Sequence, residues 1–191
     1  KEFIPFHKHL IPPFAVETYE EDERTVVFRD ELGRVRRALK EGEVNGGRMS
    51  MDTYIDFPVK SLADWRALKT RLEPTGAQRY EPNWEITRVV GWQQRQHPLI
   101  FGTNTATEGF YWFAREMMGT EGLSYAFFDQ PELVHDIMEH HADFLIEGAR
   151  PVLEKTTVEY ICLSEDMAMK TGPLLSLRLY RQFILPRLKR V

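Results

Sequence analysis

Apolar residues recur along this chain in two periods, and each period predicts a different element. From Ser61 to Leu72 they fall at Leu62, Trp65, Leu68 and Leu72, three or four apart, which places them on one face of a helix. Ser61 with Asp64 three positions later resembles a capping box, and Pro74 and Gly76 end the segment. Asn83 stands where it can cap a second helix carrying Trp84, Ile86, Val89, Val90 and Trp92. A further helix is predicted from about Glu108 to Met118, closed by Gly119, and another from about Gly122 to Phe128. Asp129-Gln130-Pro131 opens the longest one, because Asp caps and Pro suits the first turn. Its apolar line is Val134, Met138, His141 and Leu145, flanked by Ile137 and Phe144, and it runs to about Leu153. A last helix begins at Ser176 and is interrupted by Pro186.

Strand patterns fall between these helices. Thr25-Val26-Val27-Phe28 is β-prone, Asp30-Glu31-Leu32-Gly33 carries turn chemistry, and Val35 to Leu39 returns, so 25–40 reads as a hairpin. Pro98-Leu99-Ile100-Phe101-Gly102 and Val158 to Leu163 are short continuous apolar runs, the form of buried parallel strands. Residues 1–24 hold Pro5, Pro12, Pro13 and the acidic cluster Glu20 to Glu23, and read as an irregular lead-in; Asn45-Gly46-Gly47 reads as a loop. Strand, long crossover helix, strand is the signature of a parallel βαβ unit. Only about two or three barrel-type strands can be counted, whereas a closed (β/α)-barrel needs eight and roughly 250 residues. The expected fold is therefore α/β, a partial (β/α)8 barrel preceded by a β-hairpin and lacking the C-terminal part of the barrel. It forms one incomplete domain, with lead-in and hairpin over 1–60 and βα units over 61–191.

Composition adds limits. The 191 residues are 42% hydrophobic and 28% charged, and their net charge of -4 gives none of the basic excess expected of a nucleic-acid binder. One cysteine, Cys162, excludes an internal disulfide and fits a reducing cytoplasm. No apolar run approaches the roughly 20 residues that span a bilayer, so no membrane partner is expected.

If the parallel strands belong to a barrel, chemistry belongs at their C-terminal ends. One such place is Gly102-Thr103-Asn104, continuing through Glu108 to Tyr111; the other is Ser164-Glu165-Asp166. Adjacent carboxylates at a strand end point in different directions, so one of Glu165 and Asp166 can face the barrel axis while the other caps a loop. The aromatic run Phe110 to Phe113 is core-like, with one ring in reach of a pocket wall. His135, Glu139 and Asp143 share a helical face beside His140 and His141, and His7-Lys8-His9 would present two imidazoles on one side of a strand. Neither set makes a metal site by itself; a solvated helix face with His141 turned inward accounts for the first. Cys162 reads as a small core residue.

Three stretches carry a family likeness. LSEDMAMKTGPLLSLRLYRQFILPRLKRV, from Leu163 to Val191, resembles the uroporphyrinogen decarboxylase family in its acidic strand end, small-residue loop, Ser-led helix and Phe-x-x-Pro followed by a basic run, with Leu177 where Pro is common. MGTEGLSYAFFDQPELVHDIM and FPVKSLADWRALKTRLEP are similar to other runs of that family. The likeness covers most of 25–191. It implies a (β/α)8 barrel and an enzyme that decarboxylates the acetate side chains of a tetrapyrrole with no metal or organic cofactor; a homodimer is a further expectation, from strand edges left unpaired. With the strand ends the likeness gives Asp166, Glu165, Tyr111, Asn104 and Glu108 as substrate-binding candidates; the likeness itself places Tyr111 nearest the family's pocket tyrosine and Asp166 where the family has a serine. The same family includes corrinoid- and zinc-dependent methyltransferases, which is the alternative reading; their His and Cys ligands fall in the second half of the barrel, the part expected to be missing from 1–191. A non-catalytic half-barrel module is the third, its unpaired strand edges driving self-association.

Overall fold

The computed structural model describes residues 1–41, 43–44, 47–48, 51–102 and 107–191, with backbone alone at 43–44, 47–48 and 107–108. The chain forms a mixed α/β structure. In order it contains β1 (Glu2–Ile4), β2 (Glu17–Glu21), β3 (Thr25–Arg29), β4 (Val35–Leu39), β5 (Thr53–Asp56), α1 (Leu62–Lys69), α2 (Trp84–Thr87), α3 (Val89–Gln94), β6 (Leu99–Phe101), α4 (Phe110–Asp129), α5 (Pro131–Leu153) and β7 (Tyr160–Ile161). A helical tail follows, Leu177–Leu179 and Leu185–Leu188 joined by a π-helical turn at Tyr180–Ile184.

The parallel sheet has the order β1-β6-β7. Its first strand lies in the segment read as irregular lead-in. Three residues before a proline show too little alternation to betray a strand, and only pairing with β6 makes one of them. Ile4, Phe101 and Ile161 stand in register, as do Phe3, Ile100 and Tyr160, so the two rows occupy opposite faces. The first row faces the helices: Ile4, Leu99 and Phe101 join the main core with Val134, Leu145 and Phe144 of α5. Burial of each such side chain contributes about 1.5–3 kcal/mol. Phe6, just past β1, packs its ring 5.2 Å from both Phe101 and Phe144. The second row ends in Tyr160, which is 49% exposed because among the described residues β7 has no strand on its outer side.

The antiparallel sheet has the order β2-β3-β4-β5. The predicted hairpin is its centre, paired from Thr25↔Leu39 to Arg29↔Val35. Its loop is held by the Asp30 carboxylate, which accepts from the backbone N–H of Leu32 (3.0 Å) and Arg34 (2.9 Å). Phe28, Arg36 and Tyr54 lie in register across three strands and share a face.

The capping box at α1 forms as its sequence predicts. Ser61 Oγ accepts from the Asp64 N–H at 3.3 Å, and the Asp64 carboxylate accepts from Ser61 Oγ and from the Lys60 N–H. Two other predicted caps do not form. Asn83 is left-handed (φ 61°) and makes no side-chain cap, and α5 starts from Gln130 instead of Asp129, with Pro131 in its first turn. The helices predicted on either side of Gly119 are continuous in α4 except for a kink at that residue (φ 74°, ψ 165°), a conformation glycine adopts without steric cost. The run Val158 to Leu163 yields two short strands, Tyr160–Ile161 and Leu163–Ser164, instead of one buried strand. Among the described residues, no helix is long and apolar enough to cross a membrane.

Candidate functional site

The loops that leave β6 and β7 run together. Thr107–Glu108 pairs in parallel with Leu163–Ser164, and the Gly109 N–H donates to the Ser164 carbonyl at 2.6 Å. This brings Glu165 over the start of α4. Its carboxylate accepts from the backbone N–H groups of Tyr111 (3.2 Å) and Trp112 (3.0 Å), donors that the first turn of a helix leaves without intrahelical partners. The approach is so close that a Cβ at position 109 would overlap the Glu165 carboxyl, which is why glycine stands there. Burial pushes the Glu165 carboxyl above the usual range, and the backbone N–H groups oppose that shift.

Asp166, beside it, is exposed and pairs with Arg115 of α4, whose Nη2 lies 2.7 Å from Oδ2 and whose Nη1 donates to the Asp166 carbonyl at 3.1 Å. Tyr111 is 1% exposed, and its hydroxyl has no hydrogen-bond partner among the described residues; burial raises its pKa. Three of the five sequence candidates, Glu165, Asp166 and Tyr111, are thus brought together around the α4 N-terminus. Asn104 lies outside the described residues, and Glu108 contributes backbone pairing while its side chain lies outside them. Of the carboxylate pair, Glu165 is engaged with the helix terminus and Asp166 is open to solvent.

A second region was not singled out as a site by the sequence. Past the C-terminal end of β1, a cavity of about 950 Å³ opens between the segment His7–Pro13 and the antiparallel sheet. Its walls are apolar at Leu10, Pro12, Phe28 and Leu32, and charged or polar at His7, His9, Asp30, Arg34 and Arg36. The His7 and His9 rings stand edge to face, centroids 5.6 Å apart. Asp30, 5% exposed, lies between the two guanidiniums: Arg34 Nε donates to Oδ2 at 2.8 Å and Arg36 Nε lies 3.4 Å from the same oxygen. Arg34 also pairs with Glu116 of α4, and Arg36 Nη1 with Asp52 at 2.9 Å. Arg36 Nε is buried and makes no hydrogen bond of good geometry. The available sequence signal was the alternation Arg34-Val35-Arg36 opposite Phe28 in a hairpin. It sets which side chains share a face without saying what that face meets.

The helical-face trio of α5 has another use. Glu139 pairs with Arg187 (2.7 Å) and Arg190, and Asp143 with Arg190 (2.7 Å), which ties the C-terminal tail to α5. His135 stacks on Phe183, and His141, 2% exposed, stacks on Phe113 at 4.0 Å. No group of three or more His, Cys, Asp or Glu among the described residues is placed to hold a metal ion. Cys162 is half-buried between the two short strands. Set against models of protein families, against curated proteins and against solved structures, the chain matches none.

Proposed function

We propose that this chain supplies the first βα units of a (β/α)8-barrel enzyme like uroporphyrinogen decarboxylase, and that the cavity beyond β1 receives a carboxylated tetrapyrrole whose acetate side chains leave as CO2. The observation that carries the reading is the cavity's make-up: two arginines and two histidines, with Asp30 and Glu31 beside them, set among apolar walls at the C-terminal end of a parallel strand. An arginine fork matches a carboxylate in shape as well as charge, and apolar walls suit a macrocycle. Arg34 is held by Asp30 and Glu116, and Arg36 by Asp52 with Asp30 3.4 Å from its Nε; Arg36, the more exposed of the two side chains (26% against 11%), is the anchor for a substrate carboxylate. Further support comes from the parallel order β1-β6-β7 with helices against one row of its side chains. The opposite row, Phe3, Ile100 and Tyr160, corresponds to a barrel interior.

The test is binding of coproporphyrin, a stable tetracarboxylate, compared with its tetramethyl ester, followed by quenching of tryptophan fluorescence. The acid should bind saturably, and Arg36→Met should weaken it roughly 10- to 100-fold, the equivalent of one charge-assisted hydrogen bond, while the ester is unaffected. Equal binding of acid and ester, or an acid affinity indifferent to Arg36, refutes the reading.

A further inference from the structure

Arg79 is 1% exposed, yet no carboxylate among the described residues forms an ion pair with it. Its fork is filled by main-chain carbonyls instead. Nε donates to Glu73 O (2.7 Å), Nη1 to His7 O (2.9 Å) and His9 O (2.5 Å), and Nη2 to Arg71 O (2.9 Å). The plane lies over the Phe144 ring at 4.9 Å, and the Arg79 carbonyl accepts from the His7 N–H at 2.6 Å. Burial lowers its pKa to about 10, so it stays charged at neutral pH. Arg71 acts alike one step further along: Nη1 donates to Pro12 O (3.1 Å) and Pro13 O (3.3 Å) while the guanidinium stacks on Phe14. Four carbonyls of the segment 7–13 are therefore gripped by two arginines, and that segment is one wall of the cavity.

Stability alone does not call for a cation here. A buried guanidinium with no direct ion pair, which Glu73 supports only from a distance, carries a desolvation cost that a neutral side chain would avoid. What Arg provides and other side chains do not is a rigid planar fork of five donors, which holds several carbonyls in fixed relation. We propose that Arg79, assisted by Arg71, is the positioning residue of the cavity: it holds His7 and His9 where they meet the ligand. This rests on the cavity being a ligand site, as proposed above. The fork faces the backbone, so Arg79 acts through the two histidines and does not itself touch the ligand.

The experiment compares wild type, Arg79→Lys and Leu123→Ala, the last a buried position in the second half of α4 outside the cavity wall. Lysine keeps the charge and loses the fork. Two readouts are taken at equal fractions folded: amide hydrogen exchange over residues 7–11 and coproporphyrin affinity. Arg79→Lys should speed exchange of the His7 amide at least roughly 10-fold and weaken coproporphyrin by a similar factor, whereas Leu123→Ala changes neither by more than about 2-fold. Wild-type affinity in Arg79→Lys, or an equal loss in Leu123→Ala, overturns the positioning role and leaves the cavity reading standing. A wild type that does not bind coproporphyrin overturns both.

Discussion

Replacing Glu165 with alanine should loosen the start of α4. The side chain reaches from the strand end after β7 to the N–H groups of Tyr111 and Trp112, at 3.2 and 3.0 Å, and alanine withdraws that acceptor from both. Loss of a side-chain cap costs about 1–2 kcal/mol, and a buried N–H left bare about 1–3 kcal/mol. Against this stands the cost of holding a carboxylate away from water, the same burial that raises the Glu165 pKa. The balance is a loss of about 2 kcal/mol for Glu165→Ala at neutral pH, or a Tm lower by about 4–8 °C for a chain of this size. Glu165→Gln keeps an acceptor oxygen and removes the buried charge, so its loss should stay below about 1 kcal/mol. The pH dependence has a definite sign. Because the folded-state pKa is raised, the folded protein holds the proton more readily than the unfolded chain. Wild-type stability relative to Glu165→Gln therefore rises as pH falls through the folded pKa towards the ordinary glutamate value of 4.5. Urea unfolding of the three chains, at pH about 7.5 and at steps down to about 5, reads both effects. If Gln costs as much as Ala at neutral pH, the charge itself holds the helix and the burial argument is wrong.

Three further outcomes follow from the same geometry. Gly109→Ala forces a Cβ into the Glu165 carboxyl and should cost about 1–3 kcal/mol; combined with Glu165→Ala the cost should be clearly less than additive, and additivity in a double-mutant cycle would refute the overlap. Asp30→Asn leaves Arg34 and Arg36 facing each other without the charge between them and should cost about 3 kcal/mol in urea unfolding; a loss under about 1 kcal/mol would show the pair to be solvated. Burial holds the pKa of His140 below 6.5, and burial with Arg187 nearby does the same for His135, so the unfolded chain takes up protons first and stability is lost as pH falls below about 6.5. The urea midpoint should drop between pH about 7.5 and about 5.5, and less so in His140→Gln; an equal drop in that variant would remove His140 from the account.

Local chemistry was legible in the sequence wherever it was self-contained. The hairpin over 25–40, the Ser61 cap, the helix start at Ser176, the burial of Leu99 to Phe101 and the long α5 with His141 on its inner side all rest on contacts within a few residues or on one period of hydrophobicity. Where the readings missed, a neighbour distant in sequence decided. Glu2–Ile4 is a strand because β6 lies beside it, and Tyr160 is exposed because no strand among the described residues pairs with the outer side of β7. Asn83 and Asp129 have capping side chains, but the chain enters the helices along paths those side chains do not fit. The strand-end rule led to Glu165, Asp166 and Tyr111, yet what each carboxylate faces was set by α4 folding back across the end of β7. The cavity was least legible of all. Its walls come from residues 7–13, from the hairpin and from Gln78, and its electrostatics from ion pairs with Asp52 and Glu116. Periodicity along a chain reports which face a side chain shares, and the ligand-sized space between two faces exists only once both have been brought together.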